Sequence, residues 1–556
     1  MLPGDSLEAR KARGAFFTPY AIAEFLARWA TAGLRDGSYL DPTCGDGVFL
    51  LAAASVLAER GEPLGRHSLF GIDLHSASVA ETRKRLEQVA VPNFSVFEGD
   101  FSEEPAVANP GARLPLMDAV LGNPPFIRFQ EQSASARTRA VANALGHGVN
   151  LSGLASSWAS ILVHSASYLK PEGRMAMVLP AELLSVSYAE PIRRWLRSRF
   201  GTVHLVLFNQ LQFGKTNEQV VLLVAKGSGG CDAFSLHEVE DSVGLKDLHI
   251  FDSDAYVPKD YGKWTEMFVP EAARRLLSST ATDLLSPLSA FGKTELGTVT
   301  GANKYFMMNE QAKVERGLRE GVEVSRTVPA GTRHLRGMNF TEDDWQGLRD
   351  LGERVWMLNP HIDRGLSAEL EEYLSHGESI GVDAGYKCSA REPWWKVPVQ
   401  SPPTHFFTYM SHVGPRLIHN DAKTTFVNSM HGLRVKRDIG EDVSRTLPYA
   451  ALNSVTLLNA ELMGRAYGGG LLKMEPREAA ALPVPSIDVM TALAPLLSAR
   501  RVEFENRARK REWGKLTTEI DILVLQDALG MNAGDIAVLR GALSKIRRRR
   551  SVNVDG

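Results

Sequence analysis

With 556 residues, the chain exceeds what one hydrophobic core organises, and two or three domains are expected. Hydrophobic residues make up 44% and charged residues 23%, which excludes a disordered or fibrous chain. A net charge of −2 excludes a uniformly basic surface, so any contact with nucleic acid has to come from local clusters.

The N-terminal stretch "MLPGDSLEARKARGAFF" carries charges with no apolar run behind them. Nothing later reaches the ~18 uninterrupted apolar residues of a spanning helix, so a cytoplasmic protein without a membrane partner is expected. Cys44, Cys231 and Cys388 are odd in number, far apart and form no Cys-x-x-Cys pair. Neither a disulfide framework nor a metal cluster is signalled.

In chain order, "FFTPYAIAEFLARWA" offers Thr18 as a helix cap with Pro19 at the first helical position. Ile22, Phe25, Leu26 and Trp29 then fall on one face, and the plainer reading is simply a well-capped, packed helix. In "YLDPTCGDGVFL" a short strand ends at Asp41, and Gly45 and Gly47 lead into a helix. Glycines let a backbone approach a ligand closely, and a helix N-terminus presents free N–H groups. The spacing is not that of the dinucleotide fingerprint, because Leu50 stands where a third glycine would be. In "LFGIDL", Asp73 closes the next strand, placed to accept the hydroxyl protons of a ribose. "FSVFEGDFSEE" closes a third with Asp100 and Phe101, suited to one hydrogen bond and one stacking face for an adenine. Three consecutive strand ends of this kind describe a nucleoside-bearing cofactor along the carboxyl edge of a parallel sheet; the bland alternative is three solvated carboxylates.

"DAVLGNPPFIRF" then runs an apolar strand into Asn123, Pro124, Pro125 and Phe126. The Asn123 side-chain oxygen and the Pro124 carbonyl are acceptors, and two prolines stiffen the segment and remove donors. Such a site suits an NH2 group: two acceptors gripping its protons localise the nitrogen lone pair without a charged base. Phe126 supplies a face for a flipped base, although Pro-Pro ending a strand beside a core phenylalanine is the simpler account of those residues taken alone. "LVLFNQLQFGKTNEQVVLLVAK" reads as two antiparallel strands, after which "GSGG", Gly227 to Gly230, marks a boundary.

In this order, "FFTP", "DPTCGDG", "GID", "GDF" and "NPPF" resemble the gamma class of S-adenosylmethionine-dependent DNA adenine-N6 methyltransferases of bacterial restriction-modification systems. The resemblance covers residues 14 to 226. It implies a class I methyltransferase fold, α/β with a Rossmann-like, mostly parallel sheet ending in an antiparallel hairpin, with S-adenosyl-L-methionine as cofactor. Thr18 would touch the amino-acid part of that cofactor, Asp41 with Gly45 and Gly47 its methionine moiety, Asp73 the ribose, and Asp100 with Phe101 the adenine. Asn123, Pro124 and Phe126 would hold the flipped target, with Phe213 of the hairpin on its other face. Phe126 departs from the commoner tyrosine, which keeps stacking and removes a hydroxyl. No metal is implied, and Cys44 is read as packing because no Pro-Cys motif accompanies it.

The expected domains are 1–228 for catalysis, a mixed α+β target-recognition domain over 229–485, and a helical region over 486–556 with a basic tail. "LGTVTGANKYFMMN", "REPWWKVP" and "LNSVTLLNAELMGRAYGGGLLKMEPREAAALPVP" are similar to the target-recognition region of that family, although Trp394 and Trp395 suit a core better. "RARKREWGK" and "KIRRRR" are either solvated faces and a frayed tail, or nonspecific phosphate contacts. The expected partner is double-stranded DNA, with any restriction endonuclease a separate protein because about a dozen residues precede "FFTP". Rival readings are transfer to cytosine N4, for which Ser-Pro-Pro is commoner, or to a protein glutamine amide, or a DNA-binding subunit without catalysis.

Overall fold

The computed structural model describes residues 18–105, 107, 112–127, 131–152, 155–208, 220–250, 255–258, 262–279, 284–360, 365–467 and 470–551. Two compact units divide the chain, one ending at Met267 and the other running Phe268–Ser551.

The first unit is built on nine strands: β1 Gly37–Asp41, β2 His67–Asp73, β3 Phe94–Glu98, β4 Met117–Gly122, β5 Leu169–Pro180, β6 Thr202–Phe208, β7 Val220–Lys226, β8 Phe234–Val239 and β9 Ala255–Tyr256. Their order is β3-β2-β1-β4-β5-β7-β6-β8-β9. β3 through β5 pair in parallel, and β7 runs antiparallel between β5 and β6. This is the expected mostly parallel sheet with its antiparallel hairpin. The inner strands are apolar on both faces, as in "VLG" of β4 and "VVLLVA" of β7, because helices cover both sides. Those helices include α1 Tyr20–Ala30, α2 Val48–Glu59, α3 Ser76–Gln88, α4 Ala134–Gly146, α5 Ser157–Ser165 and α6 Glu190–Arg199. Ile22, Ala23, Leu26, Ala27 and Ala30 of α1 are buried, with Phe25 and Trp29 packed at the margin of the same core.

Two expectations about this unit are corrected. Thr18 does not cap α1: Pro19 is the N-cap residue, no side chain caps the helix, and the threonine hydroxyl is used elsewhere. The glycines at 227–230 are a packed turn and not a domain boundary. Gly227, Gly229 and Gly230 all have positive φ, a Cβ on Gly230 would lie 3.2 Å from the Arg197 carbonyl, and β8 then joins the same sheet parallel to β6.

The second unit holds a five-stranded sheet in the order Gly292–Leu296, His431–Val435, His405–Phe407, Leu417–Asn420, Asn339–Phe340, and a three-stranded sheet of Met307–Met308, Trp356–Leu358 and Val324–Arg326. Trp395 is buried in the core around the smaller sheet, and Trp394 packs at its edge and donates to Glu378 at 2.9 Å. Residues 486–551 are helical, as expected, including a π-helical stretch Ile522–Ala528. They are not a separate domain: Leu516, Val524, Ile536 and Leu539 share one core with Phe291, Phe407 and Leu433. Among the described residues, no helix is long and apolar enough to cross a membrane.

The basic segments are also not a frayed tail. Arg550, 5% exposed, lies on the helix Ala533–Ser551 and donates to both oxygens of buried Glu461 at 3.0 and 2.7 Å and to the His412 carbonyl at 2.9 Å. Arg507 pairs with Glu503 and Glu519, and Arg509 with Asp344 and Glu505. Removing one partner of an isolated buried pair costs about 3–5 kcal/mol. Arg550→Ala should cost less, about 2 kcal/mol in chemical denaturation, because Arg547 remains 3.5 Å from Glu461.

Candidate functional site

The strand order reverses direction between β1 and β4, so the chain leaves these neighbours toward opposite sides and opens a crevice at their carboxyl ends. Asp41 is the last residue of β1, and Asn123 follows the last residue of β4.

Asp41 is 1% exposed. One carboxylate oxygen accepts the Thr43 N–H at 3.1 Å, and the other has no hydrogen-bond partner among the described residues. Burial pushes its pKa up to about 8, opposed by the Thr43 hydrogen bond. A buried carboxylate oxygen left in this state fits a cationic group brought by a ligand.

The loop after Asp41 is tied down by its own backbone. Cys44 donates to the Ile72 carbonyl at 2.8 Å, and Gly47 to the Cys44 carbonyl at 2.8 Å. Gly45 and Gly47 have φ of 55° and 80°, a conformation that costs other residues roughly 1–2 kcal/mol. At Gly45 a Cβ would meet nothing within 4 Å, so the space beside it suits a close ligand; at Gly47 it would lie 2.8 Å from Thr82. The Thr82 hydroxyl donates to the Gly45 carbonyl at 2.9 Å. Cys44 is buried, and burial pushes its thiol well above the ordinary range, in keeping with a packing role.

Asp73 sits at the end of β2 and accepts the Gly45 N–H at 2.9 Å and the His75 N–H at 3.0 Å, one per oxygen. It therefore shapes the glycine loop and retains acceptor capacity for hydroxyls. Asp100, past β3, accepts from the Ser102 N–H and hydroxyl, while its second oxygen meets Arg139 of α4 at 3.1 Å. Phe101 is 3% exposed and packs against His164 and Tyr168 at 4.9 and 5.5 Å. Its ring belongs to an aromatic core cluster, which corrects the expectation of a free stacking face for adenine.

The Asn123 amide nitrogen donates to the Thr18 hydroxyl at 3.2 Å, which makes the side-chain oxygen the acceptor end. The following prolines are pinned from α5: the Ser157 hydroxyl donates to the Pro125 carbonyl and accepts the Ile127 N–H at 3.0 Å, and Ser157 N–H donates to the Ile127 carbonyl at 3.0 Å. Pro124 is buried, and Phe126 is half-buried against the sheet core. Phe213 lies outside the described residues. The structure thus gathers Thr18, Asp41, Gly45, Asp73 and Asn123 around one crevice, and it adds Ser157, Thr82 and Arg139, which sequence reasoning missed. Ser157 lies at the start of a helical pattern and resembles any capping serine; its partners are some thirty residues away.

The ends of β1 and β4 touch through Gly122, where a Cβ would lie 2.8 Å from the Asp41 carboxylate. Gly122→Ala should displace that carboxylate. A loss of about 10-fold in cofactor affinity is expected in calorimetric titration, the size of an overpacking penalty of about 1–3 kcal/mol.

Residues 5–229 match the N-6 DNA Methylase family model, and residues 261–525 match the model for the C-terminal domain of Type II methyltransferase M.Eco57I. Type II methyltransferase M.XamI of Xanthomonas campestris pv. amaranthicola is 24% identical over 492 residues, covering 86% of this chain and 86% of that one. Type II methyltransferase M.AccI of Acinetobacter calcoaceticus is 22% identical over 492 residues, covering 85% of each. The solved structure of the Type IIL restriction-modification enzyme MmeI in complex with DNA shares the fold, with a TM-score of 0.60 at 14% identity over 98% of this chain and 80% of that one.

Proposed function

We propose that this chain, a DNA methyltransferase of the restriction-modification type that uses S-adenosylmethionine, methylates the exocyclic N6 amine of an adenine flipped out of duplex DNA. The observation that carries this reading is the placement of Asn123, its amide nitrogen donating to the Thr18 hydroxyl, at the end of the strand beside the one that Asp41 closes. The match of residues 5–229 to the N-6 methylases favours adenine over cytosine and over a glutamine amide.

The bound cofactor supplies an electrophilic methyl on a sulfonium. Asp41 would hold the cationic end of its methionine moiety, with the loop at Gly45 and Gly47 leaving room for it. Asp73 would accept from the ribose hydroxyls. Asp100, kept in place by Arg139 and Ser102, would take the adenine amino group. Asn123 and the Pro124 carbonyl would accept hydrogen bonds from the target amine, localising its lone pair toward the methyl; as the N–C bond forms and the S–C bond breaks, the sulfonium would leave as a neutral thioether and the amine would lose one proton to solvent. Phe126, and Phe213 by resemblance, stack on the target base. The rigidity of the Asn-Pro-Pro segment, fixed by Ser157, holds the two acceptors in place before the base arrives.

Double-stranded DNA is the partner, and any cognate restriction endonuclease is a separate protein, in keeping with relatives named as methyltransferases over most of their length. Incubation with methyl-labelled S-adenosylmethionine and duplex DNA, followed by enzymatic digestion, should yield N6-methyladenine as the labelled nucleoside. Label in N4-methylcytosine, or in protein alone, overturns the reading.

A further inference from the structure

Four arginines of the basic segments that the sequence makes conspicuous, Arg507, Arg509, Arg547 and Arg550, are committed to carboxylates inside the second unit. The uncommitted polar side chains lie elsewhere. A cleft of about 440 Å³ is lined by Glu320, Ser325, Arg326, Asn359, Gln400 and Lys423, among others.

Its most unusual member is Lys423, exposed, with φ of 50°. A non-glycine residue in the left-handed region is uncommon and persists where its surroundings fix it. Here the fixing group is Asn420, itself 5% exposed: its side-chain nitrogen donates to the Pro403 and Thr424 carbonyls, each at 3.0 Å, and its side-chain oxygen accepts the Thr424 N–H at 3.2 Å. The Lys423 N–H donates to the Asn420 carbonyl at 3.2 Å, closing the turn. The turn is over-determined, and it sets Lys423 in the lining of the cleft.

The rest of the lining is equally specific. Among the described residues, the side chains of Asn359, Gln400 and Lys423 make no hydrogen bond or ion pair. Arg326 is a fixed wall, gripped by Glu320 at 2.7 Å and Glu342 at 2.9 Å and stacked over Trp345 at 4.3 Å. Two free amides, a lysine and a carboxylate provide donors and acceptors of both kinds. That mixture matches base edges, where amides pair with adenine and lysine with guanine; a phosphate site would be lined by donors and positive charge alone.

We infer that this cleft reads base edges in the DNA target, with Lys423 and Gln400 as specificity-determining residues. The inference rests on the reading of the chain as a DNA methyltransferase and goes beyond it by placing recognition at named side chains. Lys423→Gly is the preferred test because glycine adopts a positive φ without strain, so the turn survives while the ammonium is removed. The full-length protein and its Lys423→Gly and Gln400→Ala variants would each be expressed in cells that lack adenine methylation, and every methylated site sequenced, with thermal midpoints measured in parallel.

For the unaltered protein one defined site is expected. In the Lys423→Gly variant, preference at one position of that site should relax by about 10-fold or more while the other positions hold, and Gln400→Ala should relax a position of its own. An unchanged site in both variants overturns the inference and leaves the enzyme's activity intact. A uniform fall in methylation with no relaxation also overturns it, in favour of phosphate holding. If the unaltered protein methylates no DNA base, the underlying reading fails and takes this inference with it.

Discussion

Replacing Asn123 by alanine is expected to lower the rate of methyl transfer at saturating cofactor and DNA by about 10³-fold, with cofactor affinity changed less than about threefold. Removing one preorganised polar group from a reacting centre typically costs about 10²–10³ in rate. The upper end is expected here because no charged base stands behind Asn123 in the proposed mechanism. The fold should tolerate the change: Asn123 lies just past β4, and the Thr18 hydroxyl that it contacts at 3.2 Å can be reached by water once the amide is gone. Single-turnover kinetics with labelled cofactor measure the rate, and calorimetry the affinity. Turnover near that of the unaltered protein would refute the assigned role.

The second large effect concerns Asp41. Its folded pKa, pushed up to about 8 by burial, lies well above the value of about 4 for an unfolded aspartate. Between those values the folded chain holds a proton here that the unfolded chain has released, so folding stability falls as pH rises, by at most ~1.4 kcal/mol per unit, and levels off above the folded pKa. A cationic cofactor group beside the carboxylate favours its ionised form. Binding below about pH 8 should therefore release a proton from Asp41. Cofactor affinity is expected to strengthen from about pH 6 to 8, and the proton release to appear in calorimetry as a dependence of heat on the buffer. The Asp41→Asn variant should bind about 30-fold more weakly, lose this pH dependence, and be more stable than the unaltered protein at pH 8 without cofactor. An asparagine variant that keeps the full pH slope removes Asp41 from the cofactor site.

Much of the first unit was legible because a parallel sheet buried on both faces writes each strand as an apolar run, and the residues proposed to meet ligands fall at the ends of those runs. Asp41, Asp73, Asp100 and Asn123 each close or follow a strand, as their spacing predicted. What failed to show were pairings across long sequence distances. "KIRRRR" reads as a loose basic tail until Glu461, 89 residues earlier, is seen to accept from Arg550. The glycines at 227–230 read as a linker because a packed turn and a flexible one have the same composition; only the parallel pairing of β6 with β8 separates them. Thr18 has the sequence of a cap, and the partner that draws its hydroxyl away is 105 residues distant. Phe101 stands where a stacking ring would serve, but His164 and Tyr168 claim it from a different helical segment.

The adjacency of β1 and β4 has a geometric corollary. Neighbouring strands lie about 4.8 Å apart, and Asp41 and Asn123 terminate two such neighbours. In the proposed mechanism the spacing between the residue that would hold the methyl donor and the one that would hold the acceptor is thus set by the ladder of main-chain hydrogen bonds, much as the spine of a comb fixes the pitch of its teeth. On that mechanism, loops around the crevice would govern which molecules enter and how long they stay, while the separation of the two strand ends belongs to the backbone.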